Sequence, residues 1–327
     1  MADRAGYIAG QTSRYLLSLF IIVTLIFLIP RMMPGDPFVS LLGEEVYYRS
    51  PELVAELKAQ YGLDRPLPEQ YISYLQNLMQ GNFGYSFHYS QPVWDVIAYK
   101  MKWTLVLLIP SVFFGAIFGI VAGSLAGWRR VSGMDTGITS LFLFVYSMPH
   151  YWLAMLFVLI FAFYLGLFPL SGITVGGLDG WQKLRDVLWH MALPVFVLTL
   201  FGAAYNYFII RSSVIQVSGE GFVLTAQAKG LKERDVLFCH VLRNAMLPLV
   251  TVIALDFGFM VSGALLVEIV FSWGGMGTLV YDAVMARDYP LLHGSFLVIA
   301  CCVLAANFMA DVLYVVLDPR LRAGETT

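Results

Sequence analysis

Charge is scarce in this chain of 327 residues. Only 13% of it is Asp, Glu, Lys or Arg and 59% is hydrophobic, against roughly 25% and about 45–50% in ordinary soluble domains. That shortage excludes a soluble globular domain and points to a polytopic membrane protein. The net charge of −2 lacks the basic excess that displaces counterions from phosphates, so no nucleic-acid partner is expected. Cysteine is nearly absent: Cys239, Cys301 and Cys302 fit neither a disulfide framework nor a CxxC metal site. Also missing are a GxxxxGK[ST] phosphate loop, an HExxH helix and a GxSxG turn, and His88, His150, His190, His240 and His293 are scattered. The chain is therefore read as non-catalytic, with no metal site and no ATP site of its own.

Long uncharged runs are what it has instead. The first, Tyr15–Pro30, is flanked by Arg14 and Arg31 and followed by no small-residue cleavage site, so it reads as a retained transmembrane helix. Trp103–Trp128 is uncharged, with Trp at each end, where aromatic side chains favour the two membrane interfaces. Within it Gly115, Gly119, Gly123 and Gly127 recur every fourth residue. They share one helix face and admit a second backbone at close range, either from this chain or from a partner.

Thr136–Leu178 is uncharged over 43 residues, roughly 65 Å as one helix at about 1.5 Å per residue. It must break, and the spacing predicts one span from about Met134 to Leu165 kinked at Pro149, then an outer loop through Gly166–Arg185. His150 beside the kink reads as a structural, hydrogen-bonded residue. Val187–Ile210, Ala245–Val267 and Leu291–Leu317 complete six expected transmembrane helices in an all-α chain.

Between the first two runs, Pro34–Lys102 contains no apolar stretch of the ~20 residues a crossing requires. It reads as a small helical insert outside the membrane. Ser50-Pro51-Glu52 has the form of a helix start, with the helix stopping at Gly62. Glu69–Met79 forms a second helix, with Tyr71, Leu75 and Leu78 on one face and Gly81 at its end. Such a cap either meets a binding protein or substrate, or only braces the spans.

Six spans put both termini on one side, and basic residues choose it. With the N-terminus inside, cytoplasmic segments carry eleven Lys and Arg and the short outer loops only Lys183, Arg185 and Arg287. Phe222–Pro248 then lies in the cytoplasm. It is the one long polar passage of the second half: a helical stretch through Lys229, Gly230 where a left-handed residue can end it, and a second helix from about Lys232 with Glu233 and Asp235 in its first turn. Small Ala226 and Ala228 are expected to face outward, leaving an elbow thin enough to enter a groove on a soluble partner.

Thr225-Ala226-x-Ala228-Lys229-Gly230-Leu231 followed by His240-x-Leu242-Arg243-Asn244-Ala245-x-Leu247-Pro248 resembles the cytoplasmic loop of ABC-importer permeases of the dipeptide/oligopeptide type. Arg31-x-x-Pro34-Gly35-Asp36-Pro37, Glu268-x-x-Phe271-Ser272-Trp273-x-Gly275-x-Gly277, Arg287-Asp288-Tyr289-Pro290 and Leu317-Asp318-Pro319-Arg320 follow that family's order. The long insert resembles the first of its two permeases. Gln227, Gly274 and Asp256 depart from the family pattern.

The resemblance implies the type I permease fold and a prokaryotic cytoplasmic (inner) membrane location with both termini cytoplasmic. It also implies ATP-driven, binding-protein-dependent import in which ATP and Mg are bound by two partner ATPase subunits. The other partners would be a second homologous permease, an extracytoplasmic substrate-binding protein and the lipid bilayer. Thr225, Ala226, Ala228, Lys229, Gly230, Leu231, His240, Arg243 and Asn244 would form the coupling loop. Short peptides are the implied substrate, with nickel chelates, glutathione or oligosaccharides as alternatives.

The expected organisation is an N-terminus and first helix over 1–33, an insert over 34–102, a core of five helices over 103–318 holding the coupling loop at 220–246, and a tail over 319–327. Asp256 falls near the midplane of its span, where a charge costs roughly 2.5–3.5 kcal/mol on insertion scales. It is read as lining the translocation path, with Asn206 and Tyr205 as neighbours, or as making a structural hydrogen bond to one of them. A stand-alone carrier or membrane enzyme built on Asp256 and Asp311 is the weaker alternative. Neither a cluster of ionisable groups nor repeated halves is evident.

Overall fold

The computed structural model describes residues 2–32, 36–246, 249, 252–253 and 264–317. The chain divides into two compact units, residues 1–103 with 275–304 and residues 104–274 with 305–327.

The first unit begins with α1 (Ala2–Met32), the first expected span. The insert follows as four short helices, α2 (Pro37–Leu42), α3 (Glu44–Arg49), α4 (Pro51–Gln60) and α5 (Leu67–Met79). The α4 and α5 pair is the one expected, and Gly62 and Gly81 adopt left-handed φ values of 64° and 71° at their ends. The helices α2 and α3 and the antiparallel pair β1 (Tyr85–Ser86) and β2 (Gln91–Pro92) were not expected.

One carboxylate organises the start of the insert. Asp36 caps α2 through Phe38 N at 3.0 Å, accepts from the Tyr47 hydroxyl of α3 at 3.0 Å, and pairs with Lys58 of α4 at 2.5 Å. The apolar face of α5 turns to α1: Tyr74, Leu75 and Leu78 pack on Val23 and Ile26, and the Tyr71 hydroxyl lies 2.7 Å from Thr24 Oγ1.

The next helix, α6 (Val93–Trp128), starts ten residues before the expected Trp103. Asp95, Lys100 and Lys102 hide those turns from a hydropathy reading, yet Val93, Val96 and Ile97 are buried. They join a core completed by Met276, Leu279, Leu291 and Leu292.

In the second unit the expected kinked span is instead a sharp break. Helices α7 (Gly133–Tyr146) and α8 (His150–Phe157) lie 99° apart across it, with α8 continuing as wider turns through Tyr164. Pro149 is the cause: it removes an amide donor and pushes the residue before it out of the helical region. His150 then rests edge-on against the Phe201 ring at 4.0 Å.

The central element is α9 (Gly180–Ser218), which carries more buried side chains than any other described helix. It begins inside the expected outer loop, so Lys183 and Arg185 stand on its first turns. After the elbow described below, most of the expected span Ala245–Val267 lies outside the described residues. Residues 264–270 are helical (α13).

The unanticipated α14 (Met276–Ala286) and the last helix α15 (Tyr289–Leu317) end the described chain. Among the described residues, four helices are long and apolar enough to cross a membrane, or five if the broken pair is one span.

Candidate functional site

The elbow is built from α9's end outward. Helix α10 (Gly221–Ala228) is followed by α11 (Glu233–Asp235), wider turns over Val236–Val241 and α12 (Leu242–Ala245). Its bend is a Schellman closure: Leu231 N reaches Ala226 O at 3.4 Å and Gly230 N reaches Gln227 O at 2.9 Å, with Gly230 at φ 74°. An added Cβ at Gly230 would meet nothing within 4 Å. Backbone conformation, not space, is what requires glycine there.

One face of the elbow is anchored. Val223, Ala226, Val236, Leu237, Val241 and Leu242 pack with Ile210 and Val214 of α9 in a single buried cluster. Fully burying each Val or Leu contributes roughly 1.5–3 kcal/mol, so the elbow is held as a body rather than hung as a loop. Ala226, expected outward, is 6% exposed and belongs to this cluster. A helix of eight residues cannot turn both Ala226 and Ala228 the same way, because positions two apart point to different sides.

The outer face carries Thr225, Ala228, Lys229, Gly230, Leu231, Arg243 and Asn244, all exposed, with His240 half-buried. The Thr225 hydroxyl donates back to Gly221 O at 3.0 Å and Asn244 Nδ2 to His240 O at 2.8 Å. Four apolar side chains of the elbow stand out among these polar groups, Leu224 at 60%, Phe238 at 47%, Phe222 at 44% and Leu231 at 43% exposure. The expectation of a thin alanine surface missed them; the signal was present in the alternation of Val223, Leu224 and Ala226 around a helix.

The four glycines of α6 meet α9 of the same chain. An added Cβ would come within 3.3 Å of Gly202 Cα at Gly115, 3.0 Å of Ala203 O at Gly119, 2.8 Å of Tyr207 O at Gly123 and 2.9 Å of Arg211 O at Gly127. Backbone on backbone at this range admits no side chain, and it fixes α9 directly above the elbow. On its other sides α6 exposes Phe113, Phe114 and Phe118, the kind of surface lipid covers.

A partly buried ion pair locks the same end of α9. Arg211 donates from Nε and Nη2 to Asp135 at 2.7 and 2.8 Å, and Asp135 also accepts from Val131 N at 3.0 Å and Thr139 Oγ1 at 3.2 Å. The Thr139 hydroxyl lies 2.6 Å from that of Tyr207. Two N–H donors in a planar fork match both carboxylate oxygens, so α7 is fixed to α9 in one register. The Ser132-x-x-Asp135 spacing, a helix-start signature, was its trace in the sequence.

Of the three expected pathway residues, two are described. Asp256 lies outside the described residues. Asn206 is 2% exposed in the glycine seam, where its Cβ would be 2.5 Å from one added to Gly119. Tyr205 points elsewhere, its ring 6.5 Å from that of Tyr146. Among the described residues Asn206 packs in the seam between α6 and α9.

The remaining motif residues hold turns. Glu268, fully buried, accepts from Thr104 Oγ1 at 2.6 Å, and Phe271 O accepts from Gly172 N at 2.9 Å. Asp288 accepts from Ser86 Oγ at 2.6 Å, His88 N at 3.0 Å and Leu291 N at 3.1 Å, tying the hairpin to the start of α15. Among the described residues no three His, Cys, Asp or Glu side chains converge as a metal site requires.

Comparison with known proteins places this arrangement. The chain is 37% identical over 323 residues to the dipeptide transport system permease protein DppB of Escherichia coli (strain K12), covering 93% of this chain and 95% of that one. It is 35% identical over 333 residues to the di/tripeptide transport system permease protein DppB of Pseudomonas aeruginosa (strain UCBPP-PA14), covering 97% and 98%. It is 38% identical over 305 residues to a putative peptide permease protein of Brucella suis biovar 1 (strain 1330), covering 93% and 95%. A solved amino acid ABC transporter with histidines aligns with 69% of this chain and 94% of its own at 14% identity, with a TM-score of 0.48. The family described as binding-protein-dependent transport system inner membrane component matches residues 119–323, and the N-terminal family of such membrane components matches residues 7–108. The chain belongs to the inner-membrane components of binding-protein-dependent transport systems.

Proposed function

We propose that this chain is the permease half of an importer of short peptides, driven by separate ATPase subunits that grip its 222–248 elbow. The observation that carries the reading is the division of that elbow. Its inner face is welded to α9 by buried Val and Leu, while Leu224 and Leu231 stand exposed among charged neighbours. A force applied to the outer face therefore reaches α9, and through the glycine seam and the Asp135–Arg211 pair it reaches α6 and α7.

In this reading the elbow is cytoplasmic, both termini lie inside, and a second homologous permease supplies the other half of the path. A binding protein delivers substrate from outside. ATP and Mg are held by two ATPases and none by this chain, which performs no chemistry. Peptides are favoured over nickel chelates, glutathione or oligosaccharides because the similar proteins are named for dipeptide, tripeptide and peptide transport. Asp256 is assigned to the path on its midplane position alone.

The test is a double substitution, Leu224→Asp with Leu231→Asp. The variant should insert into the membrane normally but lose co-purification of the ATPase subunits and uptake of labelled dipeptide. Retained co-purification and uptake would remove the elbow from the coupling role.

A further inference from the structure

The first unit holds a cleft of about 520 Å³, within the roughly 300–1,000 Å³ of small-molecule sites. Its charged lining has one sign. Among the described residues Arg31 and Arg65 line it and no Asp or Glu does; amides such as Gln70 and Asn77 and the rings of Tyr61, Tyr74 and Phe87 supply much of the rest.

Among the described residues Arg31 is held by neutral groups alone. Its Nε and Nη2 donate to Gln70 Oε1 at 3.2 and 3.1 Å, Nη1 donates to Phe27 O at 2.9 Å and lies 3.3 Å from His293 Nε2, and the guanidinium covers the Phe27 ring at 3.6 Å. A guanidinium has five N–H donors. These contacts orient it and leave one Nη2 hydrogen uncommitted. By contrast Lys58 and Arg211 each have a carboxylate partner. A half-buried cation with no anion among the described residues is poorly compensated, and a planar fork suits a carboxylate. Beside it the Tyr74 hydroxyl is buried without a hydrogen-bond partner and close enough to feel the Arg31 charge.

We propose that this cleft binds the C-terminal carboxylate of a short peptide, with Arg31 as the anion-binding group and the edge-to-face Tyr61–Phe87 pair, 4.6 Å apart, flanking the peptide's side chains. The choice of a peptide rests on the proposed function; the carboxylate rests on the cleft. Gln70 is a positioning residue, since it fixes the plane of the fork.

The experiment titrates the chain and its partner permease, embedded in nanodiscs without the binding protein, with Gly-Phe and with the C-terminal amide of Gly-Phe. The free acid is expected to bind at least tenfold more tightly than the amide. Arg31→Gln should abolish that preference and Arg31→Lys should keep part of it. Equal binding of acid and amide by the wild-type protein, which needs no variant to fold, overturns the proposal, as does the absence of binding or a preference that survives Arg31→Gln. Uptake of labelled dipeptide by the complete transporter, run in parallel, separates the two readings. Normal uptake with equal acid and amide binding removes the carboxylate site and leaves the peptide importer. No uptake, with tight binding of 3-phenylpropionate that is lost in Arg31→Gln, removes the peptide importer and leaves the site.

Discussion

A methyl group on Gly123 would sit 2.8 Å from the carbonyl oxygen of Tyr207 and 3.0 Å from Ile210 Cβ. Neither can swing aside, because both belong to the α9 main chain or its first side-chain atom. Gly123→Ala should therefore push α6 from α9 at a cost of about 1–3 kcal/mol, the usual range for overpacking. Gly133→Ala, where nothing lies within 4 Å, is the control. Thermal unfolding of the purified protein in detergent should show a lower midpoint for the first and little change for the second. Ala226 and Ala228 make a second contrast. Glu at position 226 places a carboxylate in the cluster that anchors the elbow, costing more than the roughly 0.5–3 kcal/mol of an ordinary substitution. Glu at position 228 sits in solvent. Protease sensitivity of the elbow should rise in Ala226→Glu and stay unchanged in Ala228→Glu, and equal behaviour would refute the inward placement of Ala226. The glycine spacing could be read from the sequence because period four on a helix is a geometric fact. The direction of Ala226 could not, because its helix is only eight residues long and apolar on several sides.

Elements followed the same division. The helices α4 and α5 were legible through Ser50-Pro51-Glu52, Gly62 and Gly81, and the long spans through their missing charge. The first ten residues of α6 were not, since Asp95, Lys100 and Lys102 ride on a helix whose buried face shows only at Val93, Val96 and Ile97. The tertiary clamp at Asp36 was invisible too: its partners Tyr47 and Lys58 are 11 and 22 positions away. That clamp sets a pH window for the insert. Burial alone would raise the Asp36 pKa, but hydrogen bonds from Lys58, Phe38 N and Tyr47 outweigh it and hold the group below its ordinary 3.8. Its contribution is complete above that value and is lost as pH falls through the lowered one. Lys58, raised above 10.5 chiefly by its hydrogen bond to Asp36, contributes fully below 10.5 and loses its share as pH rises through the raised value. Hydrogen exchange over residues 37–60, corrected for intrinsic rates, should show constant protection between those limits and falling protection outside them. Asp36→Asn should lower protection in the middle of the window and remove both edges.

At the scale of the whole molecule the three cysteines provide a test of orientation in the bilayer. Cys239 is exposed on the elbow, whereas Cys301 and Cys302 lie within the apolar span Tyr289–Val312. A charged, membrane-impermeant maleimide reacts with a thiolate in water, and a span in hydrocarbon keeps Cys301 and Cys302 out of its reach. Reaction should thus report the side on which Cys239 stands. Eleven Lys and Arg on the elbow side against three in the short outer loops predict a cytoplasmic position, because basic residues near span ends resist translocation. Inverted membrane vesicles should be labelled rapidly and intact spheroplasts not at all, with Cys239→Ser abolishing the signal. Rapid labelling of intact spheroplasts would put the elbow outside, away from any ATPase, and the coupling reading would fall with it. If the orientation holds, adding the ATPase subunits to inverted vesicles should slow labelling of Cys239, since docking on the elbow covers its exposed side chains, Cys239 and Phe238 among them.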